Sequence, residues 1–111
     1  MTINGSSTYP TIEIIIPERP FTIKSLKYKY FPDSRHARIG EISHLPSLGP
    51  WRENFFGKYS IVALGSLKVI ENEPNYCWIC YIDPTGTKSS LFVGLNDPLY
   101  SRFQFGLILN P

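Results

Sequence analysis

Proline and glycine interrupt this chain so often that no segment keeps a helical apolar period, and the stretches between them are short, aromatic and β-branched. Such punctuation points to strands joined by turns. Thr11 to Ile16 reads as a first strand, closed by Pro17-Glu18-Arg19-Pro20, where neither proline can donate to a ladder. Phe21 to Phe31 alternates, with Leu26, Tyr28 and Tyr30 on one face and Ser25, Lys27 and Lys29 on the other, the pattern of a half-buried strand. Pro32 to Pro50 reads as a long connection with one helical turn or short strand at Ala37 to Ser43. Lys58 to Ile70 is apolar enough for a buried central strand that continues past Gly65-Ser66 into a second. Tyr76 to Asp83 and Ser89 to Leu95 flank Pro84-Thr85-Gly86-Thr87, a hairpin turn in which proline presets one torsion and glycine permits a positive one. Arg102 to Leu109 makes the last strand.

A chain of 111 residues supports one core and not two. The expected fold is mainly β, with α+β as the neighbouring class: a small twisted antiparallel sheet or partly open barrel with at most one or two short helices. Residues 1–10, polar with Gly, Ser and Pro, read as a flexible N-terminal arm, and 11–111 as a single globular domain. Trp51, Phe55, Tyr59, Ile61 and Ala63 are the expected core. Tyr59, Ile61 and Ala63 fall on one face of their strand and Val62 and Leu64 on the other.

A net charge of +2 does not by itself imply nucleic acid or membrane as a partner, but the charge is uneven. Lys24, Lys27, Lys29, Arg35 and Arg38 lie in a basic stretch relieved only by Asp33, whereas 71–97 is acidic. The basic run reads either as a solvated face or as a surface turned toward anions. Charged residues make up only 18% of the chain, which leaves a weakly charged surface of the kind a partner covers. No apolar run is long enough to span a bilayer and Met1 to Ser6 is not a secretory leader, so an intracellular location is expected.

Chemistry is sparse. Cys77 and Cys80 fall in Tyr76-Cys77-Trp78-Ile79-Cys80-Tyr81-Ile82, where strand alternation puts the thiols on opposite faces and argues against a redox pair or half a zinc site. Asp33, Ser34 and His36 are the residue types of a nucleophilic triad, but they crowd one polar loop and no Gly-x-Ser-x-Gly elbow exposes a serine. Glycines do not form a phosphate loop, and carboxylates do not cluster. The expectation is therefore a non-enzymatic protein with no cofactor, no metal site and no small-molecule substrate.

One stretch carries a resemblance. Trp51-Arg52-Glu53-Asn54-Phe55-Phe56-Gly57 followed by Lys58-Tyr59-Ser60-Ile61-Val62-Ala63-Leu64-Gly65-Ser66 resembles the central segment of rhabdovirus matrix proteins. Thr11 to Phe21 and Phe105-Gly106-Leu107-Ile108 are similar to the strands that open and close that family's globular domain, and Tyr81-Ile82-Asp83 falls at a family strand and turn. The chain departs from the family in lacking its basic N-terminal arm with a proline-tyrosine motif. The resemblance implies a virion structural protein that self-associates as a homo-oligomer, contacts a viral nucleocapsid or RNA, and lies peripherally on an acidic membrane in host cytoplasm and virion. It places self-association at Tyr9 and Pro10, and anion contact at Lys24, Lys27, Lys29, Arg35 and Arg38. The residues leave two alternatives: a small nucleic-acid-binding β-barrel whose lysine face tracks phosphates, or a protein that inhibits a partner by binding it.

Overall fold

The structure is a computed structural model that describes residues 1–27, 33–100 and 102–109. Seven strands, β1 (Thr2–Ile3), β2 (Ile12–Ile15), β3 (Ser34–His36), β4 (Ser60–Ile70), β5 (Glu73–Ile82), β6 (Lys88–Gly94) and β7 (Phe103–Leu109), form one sheet in the order β1-β2-β7-β4-β5-β6. β3 pairs β7 further along the side that β4 occupies. Among the described residues only the β4–β7 pair is parallel. The mainly β expectation holds, in its sheet form: the ends at β1 and β6 do not meet, so no barrel closes.

Short helices are more numerous than the one or two expected: α1 (Ile23–Lys27), α2 (Ile39–Ile42) and α3 (Gly49–Asn54), with a 3₁₀ turn at Leu45–Ser47. Pro46 and Pro50 each sit in the first turn of their element, where the missing N–H would have had no helical partner. The connection read as a loop is therefore a compact helical layer. Within the strand expected over Phe21 to Phe31, Ile23–Lys27 is instead a helix. Ile23 and Leu26, three apart, are both buried as on a helix face, and Ser25 N–H donates to Thr22 Oγ1 at 3.0 Å while Thr22 N–H reaches Ser25 Oγ at 3.3 Å. Local capping thus overrides the apparent alternation. Tyr28, Lys29 and Tyr30 lie outside the described residues.

Residues 1–10 are not a free arm. Thr2 and Ile3 pair with Glu13 and Ile12, Ile3 is buried, Gly5 N–H donates to Thr11 Oγ1 at 2.8 Å, and the Tyr9 ring stacks on His44 with centroids 3.7 Å apart. Ile3 supplies the apolar anchor that composition alone concealed.

A packed cluster lies against each face of the sheet. On one, α2, the 3₁₀ turn and α3 bring Ile42, Leu45, Trp51 and Phe55 onto Ile12, Ile14, Ile61, Ala63, Ile82 and Ile108, with Tyr59 packed against them. On the other, Ile23 and Leu26 of α1 join Val62, Leu64, Cys77, Ile79, Phe103, Phe105 and Leu107. The expected core residues therefore lie together, and Ile61 and Ala63 face away from Val62 and Leu64 as alternation requires. Cys77 is buried on the α1 face and Cys80 is half-buried on the other; both are unpaired, and burial pushes the Cys77 thiol up.

Two local devices hold the layers. Asp83 Oδ1 accepts from Thr85 N–H and Thr87 N–H, each at 2.9 Å, and Gly86 takes a φ of 90°, so the β5–β6 turn closes tightly and lies against Pro46 and Trp51. β4 is one strand rather than two. Its ladder to β5 is interrupted between Ala63 and Lys68, where Gly65 N–H donates to the Ala37 carbonyl at 2.9 Å and Ser66 Oγ accepts from Ile39 N–H at 2.8 Å. That detour ties β4 to the start of the helical layer.

Candidate interaction surface

The triad-like residues stand at one strand and the turn before it. Ser34 and His36 lie on β3 and Asp33 is exposed beside it, while the His36 ring meets Phe105 edge-on at 5.6 Å. Burial lowers the His36 pKa, partly countered by a hydrogen bond to the Leu26 backbone. The imidazole is half-buried. A cleft of about 450 Å³ runs along Ile15 to Phe21 with Ser25, Leu26 and Phe105, but its walls are mostly apolar and proline, and Glu18 and Arg19 at its rim are exposed. Among the described residues no three His, Cys, Asp or Glu come together, and no helix is long and apolar enough to cross a membrane.

Among the described residues Lys24, Arg35 and Arg38 are divided rather than gathered. Lys24 is exposed on α1, against one face of the sheet, whereas Arg35 belongs to β3 and Arg38 precedes α2 on the other. Arg35 is committed to Glu41 through two hydrogen bonds, the NH1 one 2.7 Å long, and this bond raises the Arg35 pKa and lowers that of Glu41. Glu41 also accepts from Arg38 N–H at 3.0 Å. The Lys27 side chain and Lys29 lie outside the described residues. Tyr9 is engaged with His44 in its own chain, and Pro10 is half-buried beside it.

The feature that sequence reasoning missed lies at the far end of the sheet. The helical layer covers only the half of its face built by Ile61, Ala63 and Ile82. Beyond Cys80 the same face continues through Trp78 and Tyr76 of β5, Phe92 of β6 opposite Trp78, and Lys68 of β4 on Trp78's other side. Tyr76, Trp78 and Phe92 are 41%, 41% and 43% exposed. Phe92 stacks on Tyr76 at 5.3 Å and 12°, and meets Trp78 at 5.3 Å. Isolated apolar residues on a surface are ordinary, but three rings joined through Phe92 form a patch of the composition found at interface centres. The signal was present in the sequence: Tyr76 to Ile82 is apolar at every position, more than a one-sided strand needs.

A pH dependence of stability is expected from His44 and His36. Burial lowers both pKa values. A histidine depressed in the folded state takes up its proton more readily when unfolded, so its contribution is complete above the ordinary value of about 6.5 and is lost as pH falls from there through the folded pKa. The thermal midpoint is expected to drop between about pH 7.5 and about pH 5, and the drop should shrink in the variant His36→Gln/His44→Gln. A wild-type midpoint that stays level across that window would show that neither ring loses solvation on folding.

Comparison with known proteins finds no matching family model, no similar curated protein and no similar solved structure.

Proposed function

We propose that this chain is a non-enzymatic structural protein that acts by self-association, with the open aromatic half-face of β5 and β6 as its contact surface. The observation that carries this is the Tyr76–Phe92–Trp78 cluster, left uncovered where the helical layer stops. Burying three rings removes enough apolar area to drive association without a catalytic or ligand site. In the form the matrix-protein resemblance implies, such assemblies would lie against a nucleocapsid or an acidic membrane.

A second reading has its own support. Lys68 and Lys88 lie on the same face as the rings, and aromatic side chains with nearby cations also suit single-stranded nucleic acid.

The two are separated by following Trp78 alone, in a Trp51→Phe background that removes the buried indole. Under the assembly reading, Trp78 emission shifts to the blue and sedimentation mass rises as protein increases from about 1 to about 100 µM. Trp78→Ser suppresses the mass increase. Emission that responds only to added single-stranded oligonucleotide selects the second reading. A chain that stays monomeric, with Trp78 indifferent to either titration, sinks both.

A further inference from the structure

Resting on that reading, we infer that the partner is a second copy of this chain, joined by antiparallel pairing of β6 with β6 about a two-fold axis at Ser90.

The backbone groups that the edge strand leaves free set the register. Asp83 N–H donates to the Thr87 carbonyl and Leu95 N–H to the Asn75 carbonyl, and both pairs continue the register that sets Ile79 opposite Leu91. In an antiparallel ladder, directly bonded pairs alternate with unbonded ones. Ser89, Leu91 and Val93 therefore turn their N–H and C=O groups toward β5. Lys88, Ser90, Phe92 and Gly94 turn theirs outward. At Gly94 both outward groups are already occupied, since its N–H reaches Asp97 Oδ2 at 3.2 Å and its carbonyl accepts from Asp97 N–H at 3.1 Å. Among the described residues no other element pairs with β6.

The free edge thus consists of Lys88, Ser90 and Phe92, evenly spaced about Ser90. A two-fold there sets Lys88 opposite Phe92 of the other copy at each end and Ser90 opposite Ser90, so every free donor meets a free acceptor. A two-fold at Leu91 or Phe92 would need the Gly94 groups that Asp97 holds, and one at Ser89 would strand Phe92. Asp97 therefore fixes the register. Lysine on an edge strand ordinarily discourages pairing. In this register the Lys88 ammonium instead lies beside the Phe92 ring of the partner, which Trp78 backs, an arrangement in which the cation meets the negative face of the aromatic cluster. The edge and the open face are one continuous interface. The sequence Lys88-Ser89-Ser90-Leu91-Phe92 also contains no proline or glycine that would break a strand.

The test uses cross-linking in the full chain. A Cys80→Ser background is needed because Cys80 Sγ lies 3.9 Å from Ser90 Oγ in the same chain. Bonded pairs place Cα atoms about 5.5 Å apart, within disulfide range. On mild oxidation Ser90→Cys is expected to give a covalent dimer, Phe92→Cys alone to give little, and a mixture of Lys88→Cys with Phe92→Cys to give the mixed dimer. Ser90→Pro removes an outward N–H and no β5 bond, and should weaken self-association by roughly tenfold or more. Phe92→Cys dimerising in place of Ser90→Cys overturns the register. Association that Trp78→Ser abolishes and Ser90→Pro leaves intact overturns edge pairing while the aromatic contact surface stands. A wild type that never associates removes the contact surface and the inference together.

Discussion

Replacing Trp51 with alanine is expected to lower stability by about 3 to 5 kcal/mol, the range for an enclosed large aromatic. Trp51 is 1% exposed, stands edge-on to Phe56 at 5.9 Å, and fills the space between α3, the sheet and the β5–β6 turn at Gly86. Removing the indole leaves a cavity that three elements would have to close together, and the short helices have little stability of their own to draw on. Trp51→Phe should lose much less. It keeps a ring in place and also removes the indole N–H, which is buried and has no partner among the described residues. Chemical unfolding monitored by far-UV circular dichroism measures both. A loss below about 1 kcal/mol for the alanine variant would show that the helical layer is not docked on the sheet.

Gly65→Ala is expected to cost about 1 to 3 kcal/mol or more for a single added methyl group. A Cβ at Gly65 would stand 2.6 Å from the His36 carbonyl oxygen and 2.8 Å from that of Ala37. Both are backbone atoms, so no side chain can swing aside. The Gly65 N–H bond to Ala37 and the Ser66 bond to Ile39 would have to lengthen with them. Gly40 is the matched control, with nothing within 4 Å of its Cβ position, and alanine there should be neutral or better. Equal midpoints for the two variants would mean that β4 does not approach the 36–37 backbone as closely as the structure has it.

The contrast between these glycines shows where sequence reasoning stops. Gly65 and Gly40 look alike in the chain, each in a mixed polar and apolar context. Only the crossing of β4 over the segment after β3, two pieces nearly thirty residues apart, makes one of them irreplaceable. The basic stretch teaches the same point. The basic run allowed either a solvated face or a surface turned toward anions, and among the described residues Arg35 finds Glu41 across a turn while Lys24 lies on a helix at the opposite face.

What the sequence determined by itself are features decided over a few residues. Period-two alternation placed Ile61 and Ala63 against Val62 and Leu64 and separated Cys77 from Cys80; Pro84-Thr85-Gly86-Thr87 fixed the hairpin, and through it the β5–β6 register. The tertiary structure alone decided that Ile3 anchors the N-terminal segment, that Ile23 to Lys27 is a helix, and that the helical layer ends before Trp78. It alone decided that Asp97 caps Gly94 and leaves Lys88, Ser90 and Phe92 open at the edge. The physical reason is that alternation and turn chemistry are properties of adjacent residues, whereas covering a face or freeing an edge depends on which distant segment arrives there, and burial is settled only when it does.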